Sequence, residues 1–270
     1  MSTRMRRLAT VAVLAAWTAP LVWMASASLL PDAAIAGGTL AAREGLGFAH
    51  YRALFDERRF WQPVANSILV AAATTGLALL VAVPCAYAMA RLRFRGKGPL
   101  MAAVLAVSMS PQVSIVPALF LVLRTVGLLD TRSGLVLPYV TFATPLAVWV
   151  LASFFRDLPA ELEDAAQMDG ASRLRAAVEV VVPLAAPAVA TTAILTFLFA
   201  WNEFLFALSF TATPERQTVP VALALLRGRY QVPWGQILAA AVTASVPVAL
   251  VVLAFQRRIV RGLTAGSVKG

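Results

Sequence analysis

Residues able to do acid–base, redox or metal chemistry are few in this sequence of 270 residues. Glu203 is the only acid or base inside the long apolar stretches of the sequence. His50 and Cys85 are the sole histidine and cysteine. One cysteine excludes an internal disulfide and makes a cysteine metal site implausible. The segment "RGKG" at 95–98 lacks the first glycine and the Ser or Thr of a phosphate-binding loop. We therefore predict no catalytic residue, no metal and no cofactor bound by this chain, which is not an enzyme by itself.

Glu203 has two interpretations. A charge at the centre of a membrane helix costs about 2.5–3.5 kcal/mol on insertion scales, so its carboxylate should face a cavity, a partner or an interface. It could line a substrate path together with its neighbours Trp201 and Asn202. It could equally be a structural hydrogen-bonding group at a helix end or between two subunits. An ion-coupled carrier would need more intramembrane carboxylates or histidines than this one.

A second polar group lies in "SMSPQVSIVP" at 108–117. Gln112 and Ser114 would line a cavity if the prolines break the helix and expose its backbone groups. The alternative is a kinked helix whose serines bond to their own backbone. Both interpretations stay open.

A third group, "DAAQMDGA" at 164–171, carries two acids and a glycine between long uncharged runs. The sequence around it predicts a short amphipathic helix, a turn at Gly170 and a second helix capped by Ser172. Leu162, Ala165 and Ala166 fall on one face, where small side chains let another surface approach closely. A solvated connecting loop is the plainer alternative.

The elements that must position these residues are apolar. Hydrophobic residues make up 60% of the chain, charged residues 13%, and the mean hydropathy is +0.79, which is typical of a membrane protein. Since a helix needs about 20 residues to cross a bilayer, we predict an all-α membrane protein with six transmembrane helices. They cover approximately 8–30, 66–90, 99–123, 133–155, 184–208 and 236–256.

The basic residues predict the orientation. With the N-terminus inside, 14 of the 23 lysines and arginines lie in inner segments, and "RLRFRGKG" at 91–98 is the strongest indication. Both termini and 164–171 are then cytoplasmic in a multi-pass protein. The first run could instead be a cleaved signal peptide, but it is longer than a usual apolar core. The net charge of +10 does not indicate nucleic-acid binding, because the basic residues cluster at the ends of apolar runs.

The motif at 164–171 resembles the EAA loop of ABC importer permeases. The loop has the form E-A-A, three residues and a glycine, with a proline at its end; here Asp164 stands where Glu is usual. Further similarity lies in "PYVTFATPLAVWVLASFFRDLP" at 138–159, "FAWNEFLFAL" at 199–208 and "RRIVRGLTAGSVKG" at 257–270. Along nearly its whole length the chain resembles the MalG-like subunit of carbohydrate importers of the maltose and trehalose type, with the permease fold called MetI-like.

The resemblance implies partners and a mechanism. The chain would pair with a second homologous permease in the bacterial plasma (inner) membrane, above an ATPase dimer that holds ATP and magnesium. An external solute-binding protein or lipoprotein would deliver the sugar, and the halves would alternate between inward-facing and outward-facing states. The implied ATPase-coupling residues are Glu163, Asp164, Ala165, Ala166, Asp169 and Gly170. The implied ATPase-contacting tail residues are Gly262, Leu263, Thr264, Gly266 and Lys269.

The same resemblance sets the domain boundaries and the alternatives. We expect an N-terminal helix and external segment at 1–63, a core at 64–260 with the coupling loop at about 156–183, and a tail at 261–270. The external region 210–235 would approach the binding protein, and Trp201 could stack on a sugar ring. The alternatives are an importer of another solute such as a glycerol phosphate, an ion-coupled carrier, or a membrane scaffold.

Overall fold

The computed structural model describes residues 3–37, 46–226 and 232–265, and within these ranges every regular element is helical. The helices are α1 (Thr3–Ala27), α2 (Asp32–Ala36), α3 (Ala49–Arg52), α4 (Trp61–Arg91), α5 (Lys97–Met109), α6 (Gln112–Thr125), α7 (Arg132–Asp157), α8 (Glu161–Met168), α9 (Arg173–Ala176), α10 (Val182–Leu184), α11 (Ala186–Asn202), α12 (Leu205–Phe210), α13 (Val219–Ala224) and α14 (Trp234–Ala265). Short π-helical segments follow α3 and α9, at Ala53–Glu57 and Ala177–Val181, and a 3-10 turn lies at Pro214–Arg216.

Four helices are long and apolar enough to cross a membrane as single spans: α1, α4, α7 and α14. Two further spans exist if each of two bent pairs is counted as one. The predicted third span is broken between α5 and α6, which meet at 89°. Pro111 explains the break, because it lacks an N–H group and drives the preceding Ser110 into extended backbone with ψ 135°.

The predicted fifth span is also not one straight helix. α11 ends at Asn202, and α12 begins two residues after the break at Glu203. The bent pair in this region joins 173–184 to α11 at 73°. The continuous helix in this region is therefore shorter than the apolar run at 184–208.

The chain divides into two compact units, and the first comprises Met1–Val64 and Val219–Pro247. Within it, the Asp32 carboxylate accepts a hydrogen bond from the Gly235 N–H at 2.8 Å, and His50 Nε2 lies 2.8 Å from the Leu30 carbonyl oxygen. A β-carbon at position 235 would lie 2.1 Å from the His50 ring, so this close approach requires glycine. The apolar stretch at 219–226 forms α13 with buried Val219 and Val221.

The second unit comprises Ala65–Thr218 and Val248–Gly270, and it contains the core that holds α8. Ala82 and Ala86 of α4 pack with Leu151 and Phe155 of α7 and with the start of α11. Such small side chains let membrane helices approach closely. Because α7 is fixed in this way, the chain leaves its end at a defined place to enter α8.

One boundary between the two units follows Val64, and residues 219–247 group with the N-terminal segment. α14 continues to Ala265, so Gly262, Leu263 and Thr264 are helical where we expected an extended tail. Gly266 and Lys269 lie outside the described residues.

Candidate functional site

The segment at 161–176 forms the predicted helix, turn and second helix. Glu161, Glu163 and Asp164 occupy the first turn of α8, where the helix dipole favours acids. Gly170 follows with φ +90°, a left-handed backbone that glycine adopts cheaply. The Ser172 Oγ then accepts a hydrogen bond from the Arg175 N–H at 3.3 Å and caps α9. The local prediction from the sequence is confirmed.

One face of this segment is open. Asp164, Ala165, Asp169 and Gly170 are exposed, while Ala166 is half-buried. Large apolar side chains accompany them: Met168 is 84% exposed, and Leu162 and Leu174 are exposed as well. Two carboxylates, small residues and protruding apolar groups suit contact with another protein surface better than contact with water alone.

Glu163 does not belong to this open face, which corrects our expectation. It is buried, 7% exposed, because it lies on the side of α8 opposite Leu162 and Ala165. The Tyr87 hydroxyl donates a 2.5 Å hydrogen bond to Glu163 Oε1, and Arg91 Nε lies 3.7 Å from Oε2. Arg91 Nη2 also donates to the Leu158 carbonyl oxygen at 2.8 Å. Glu163 thus attaches α8 to the end of α4.

Sequence reasoning missed Tyr87 and Arg91. A usable signal existed, because residues four apart share a helix face, and a tyrosine and an arginine in that spacing end an otherwise apolar run. Their partner, Glu163, lies 76 residues from Tyr87 in sequence, so no local pattern indicates it.

A polar cleft of about 680 Å³ lies beside this attachment. Its basic side chains come from the end of α4, the following turn, the start of α5 and α9, and its carboxylates come from α8. The polar side chains that line it are those of Arg91, Arg93, Lys97, Glu163, Asp164, Gln167 and Arg173. The basic groups give α8 a positive border on the side towards α4.

The structure favours the structural interpretation of Glu203. Its side chain is buried, 6% exposed, and it caps α12: Oε1 accepts from the Phe206 N–H at 2.8 Å and Oε2 from the Ala207 N–H at 3.2 Å. Trp201 is buried and stacked on Phe197 with ring centroids 5.9 Å apart, so its ring packs inside the chain.

The other predicted polar residues do not converge on a path. The Asn202 side-chain amide donates to the Leu198 carbonyl of its own helix. Gln112 is half-buried and Ser114 exposed just after the break between α5 and α6. Ser108 and Ser110 bond to carbonyls of their own helix, as in the plainer of our two interpretations.

A cavity of about 220 Å³ lies instead between α5, α7 and α11. Its lining includes Ser108, the Phe142 and Phe199 rings, and the buried Thr192 and Thr196 on successive turns of α11. Sequence reasoning missed the threonines, although their spacing of four in an apolar run places both on one face. In the described ranges, no three His, Cys, Asp or Glu side chains are placed to hold a metal ion.

Comparison with known proteins gives consistent matches. The family model "Binding-protein-dependent transport system inner membrane component" matches residues 78–265. The trehalose transport system permease protein SugB of Mycobacterium tuberculosis is 46% identical, over 93% of this chain and 92% of its own length. The trehalose/maltose transport system permease protein MalG of Thermococcus litoralis is 39% identical, over 93% and 91%.

A solved structure is similar over almost the whole chain. It is a crystal structure of a bacterial ABC transporter involved in the import of the acidic polysaccharide alginate. One of its chains matches with a TM-score of 0.77 and 26% identity, covering 95% of this chain and 98% of that one.

Proposed function

Since the chain belongs to the family of inner membrane components of binding-protein-dependent transport systems, we propose that it is the membrane-spanning permease subunit of an ATP-driven importer of a di- or oligosaccharide. Relatives named for trehalose and maltose and a structural match to an alginate importer support a carbohydrate as the substrate. In this proposal a binding protein delivers that substrate, which the words "binding-protein-dependent transport system" in the family description support.

The single observation that carries the coupling role is the open face of α8. Its carboxylates, small residues and Met168 remain exposed although the opposite side of the helix is anchored. In the proposed complex this face docks on an ATPase subunit at the cytoplasmic side. A second homologous permease completes the pathway, and ATP and magnesium bind to the ATPase dimer. In this proposal both termini lie in the cytoplasm, an orientation that the distribution of basic residues supports.

The cavity between α5, α7 and α11 is the proposed sugar contact in this subunit. Hydroxyl groups and aromatic ring faces are the side chains that suit a polyol. The cavity volume of about 220 Å³ admits one sugar ring at a time, not a whole oligosaccharide. Trp201 and Glu203 are not part of this proposal, because both are occupied by contacts within the chain.

Uptake by the reconstituted complex tests the proposal. The tagged chain is purified with the proteins encoded next to it, placed in liposomes with ATP inside, and supplied with binding protein and labelled trehalose or maltose. Uptake that requires both ATP and binding protein supports the proposal. A chain that co-purifies with no ATPase, or uptake that proceeds without ATP, overturns it.

Asp164→Lys tests the docking face within the same assay. It reverses an exposed charge and leaves the Glu163 attachment in place, so we expect loss of most of the bound ATPase while the permease still folds. Glu179→Lys is the matched control, because Glu179 is exposed in the π-helical segment after α9 and its ion pair among the described residues is with Arg175, at 2.9 Å. Equal ATPase recovery with both variants would contradict the assignment of this face.

Glu203→Gln separates an ATP-driven importer from an ion-coupled carrier. The amide oxygen can still accept a backbone hydrogen bond from α12, so we expect most transport to remain. A carrier that moves protons through this carboxylate would lose transport entirely. Glu203→Ala should lower the free energy of unfolding by about 1–3 kcal/mol, because it leaves buried N–H groups without an acceptor.

A further inference from the structure

Glu163, Tyr87 and Arg91 form a buried connection between α8 and α4, which we call the α4–α8 latch. Its hydrogen bond and ion pair span two helices that are far apart in sequence. The side chains of Arg91 and Glu163 are only 14% and 9% exposed, so water and salt screen their attraction little. Hydrogen bonds to a charged group in such surroundings are stronger than neutral ones.

The latch also reaches the third helix of the core. The Tyr87 ring packs edge-on against Phe155 of α7, with centroids 6.4 Å apart and planes at 82°. Arg91 holds the Leu158 carbonyl, at the point where α7 ends and the chain turns towards α8. α8 is therefore fixed to the end of α4 and to the end of α7 by one set of side chains.

Besides the latch, α8 packs against α9 and the Ala177–Val181 segment, which both follow it closely in sequence. Three residues connect it to α7 and four connect it to α9, and one of these four, Gly170, has the left-handed backbone of a turn. A force on the open face of α8 could then rotate the helix about these connections. The latch opposes such rotation. Rotation would withdraw the Glu163 carboxylate from Arg91 and leave the buried charge of Arg91 without a partner, which is costly.

We propose that Tyr87 and Arg91 are positioning residues that make α8 and the end of α4 move as one body, so that displacement of α8 by the ATPase is delivered to the spanning helix. This inference rests on the proposed function. It is distinct from docking, because Glu163 is buried against α4, whereas the residues of the open face of α8 are exposed.

Tyr87→Phe is the principal test. It removes one hydroxyl and keeps the ring that packs on Phe155. We expect the ATPase to co-purify as with the unmodified chain, while the amount of sugar imported per ATP hydrolysed falls at least threefold. Tyr51→Phe is the matched control, since its hydroxyl also makes one 2.8 Å side-chain hydrogen bond, to Ser28 in the other unit.

Glu163→Gln supplies the graded comparison. The amide keeps an acceptor for the Tyr87 hydroxyl and loses the charge that Arg91 needs, so we expect a smaller loss of coupling than with Glu163→Ala. Combining Tyr87→Phe with Glu163→Ala should add little to either single change, because both remove the same connection.

Spin labels measure the joint movement directly. Cys85, the only cysteine, is exposed on α4, and Glu161→Cys supplies a second label at the exposed start of α8. In a complex whose other subunits lack cysteine, we expect one narrow distance distribution that is the same with and without ATP. In the Tyr87→Phe background we expect it to broaden.

These experiments distinguish failure of the proposed function from failure of the latch proposal. Failure of the unmodified chain to recover an ATPase overturns the proposed function. If the ATPase is recovered, but Tyr87→Phe imports with the normal sugar-to-ATP ratio and an unbroadened label distance, the latch proposal is wrong and the importer assignment stands.

Discussion

Side-chain hydrogen bonds attach helix α4 to its neighbours near both of its ends, but the groups that form them differ. Near its start, the fully buried Asn66 amide donates to the carbonyl oxygens of Glu215 and Gln217 at 2.8 and 2.9 Å, and its oxygen accepts from Arg132 Nε at 2.7 Å. We call this the Asn66 junction. Near its end, the α4–α8 latch uses a carboxylate, a phenol and a guanidinium.

The difference between the two attachments indicates what each end does. At the Asn66 junction both amide protons and the amide oxygen are used within the chain. At the latch one side of α8 is held while the other side presents exposed carboxylates and Met168. About 37 Å of helix separates Asn66 from Arg91, at 1.5 Å per residue. The start of α4 is therefore fixed by contacts within the unit, whereas the end of α4 supports a surface that a partner can contact.

Gly170→Val should break this comparison most strongly. Nothing lies within 4 Å of a β-carbon at this position, so the effect comes from the backbone alone. Left-handed backbone costs an L-residue about 1–2 kcal/mol, and a β-branched one more, so we expect at least about a tenfold loss of ATPase-dependent uptake. The measurement is uptake by reconstituted complexes.

Gly170→Asn is the control for that variant, because asparagine tolerates the left-handed conformation better. It should retain several times more uptake than Gly170→Val. Equal losses would mean that the glycine is needed for close contact with the partner and not for the turn.

Asn66→Ala should have an intermediate effect of another kind. Loss of a fully buried amide leaves two carbonyls and Arg132 without their partner, which costs about 1–3 kcal/mol. We expect a lower thermal unfolding midpoint and less folded protein, followed by fluorescence during heating. Sugar imported per ATP should stay normal for the protein that folds, in contrast to Tyr87→Phe. A reduced ratio would mean that both ends of α4 take part in coupling.

Asp130 gives the smallest predicted effect and concerns the same end as the Asn66 junction. Burial acts to raise the pKa of its carboxyl, but hydrogen bonds from Ala212 and Thr213, with Arg216 nearby, outweigh burial and hold the pKa below its ordinary value of 3.8.

A lowered pKa in the folded state means that this contribution to stability is complete above the ordinary value. It is lost as the pH falls through the lower folded value. Asp130→Asn should therefore reduce the thermal unfolding midpoint slightly at neutral pH. In acid, the difference in midpoint between the variant and the unmodified chain should become smaller. A difference that grows in acid would contradict the assigned direction.

Local features of the coupling segment could be predicted from the sequence because they depend on neighbours. The acids that open α8, the glycine that ends it and the serine that caps α9 all act over four residues or fewer. Six apolar stretches likewise follow from the thickness of a bilayer. These are the parts of the fold and the site that sequence alone supplied.

The errors arose where distant residues decide. The burial of Glu163 depends on Tyr87, and no pattern within α8 indicates it. The run at 184–208 was predicted as one helix because its average hydropathy is high despite Glu203. The Glu203 carboxylate in fact caps the first turn of α12. The candidate cavity requires three helices to be packed before Thr192 and Thr196 share a space with Phe142.

Helix α1 shows a further consequence of these contacts. Its spanning stretch, Arg4–Ala27, has no buried residue in its most apolar window, so none of the side chains that the structure describes constrains the shape of its surface there. Substitution among Leu, Val and Ala should be neutral here as long as length and hydropathy persist. Evolutionary drift is then expected to be faster in α1 than in the packed helices α4, α7 and α11.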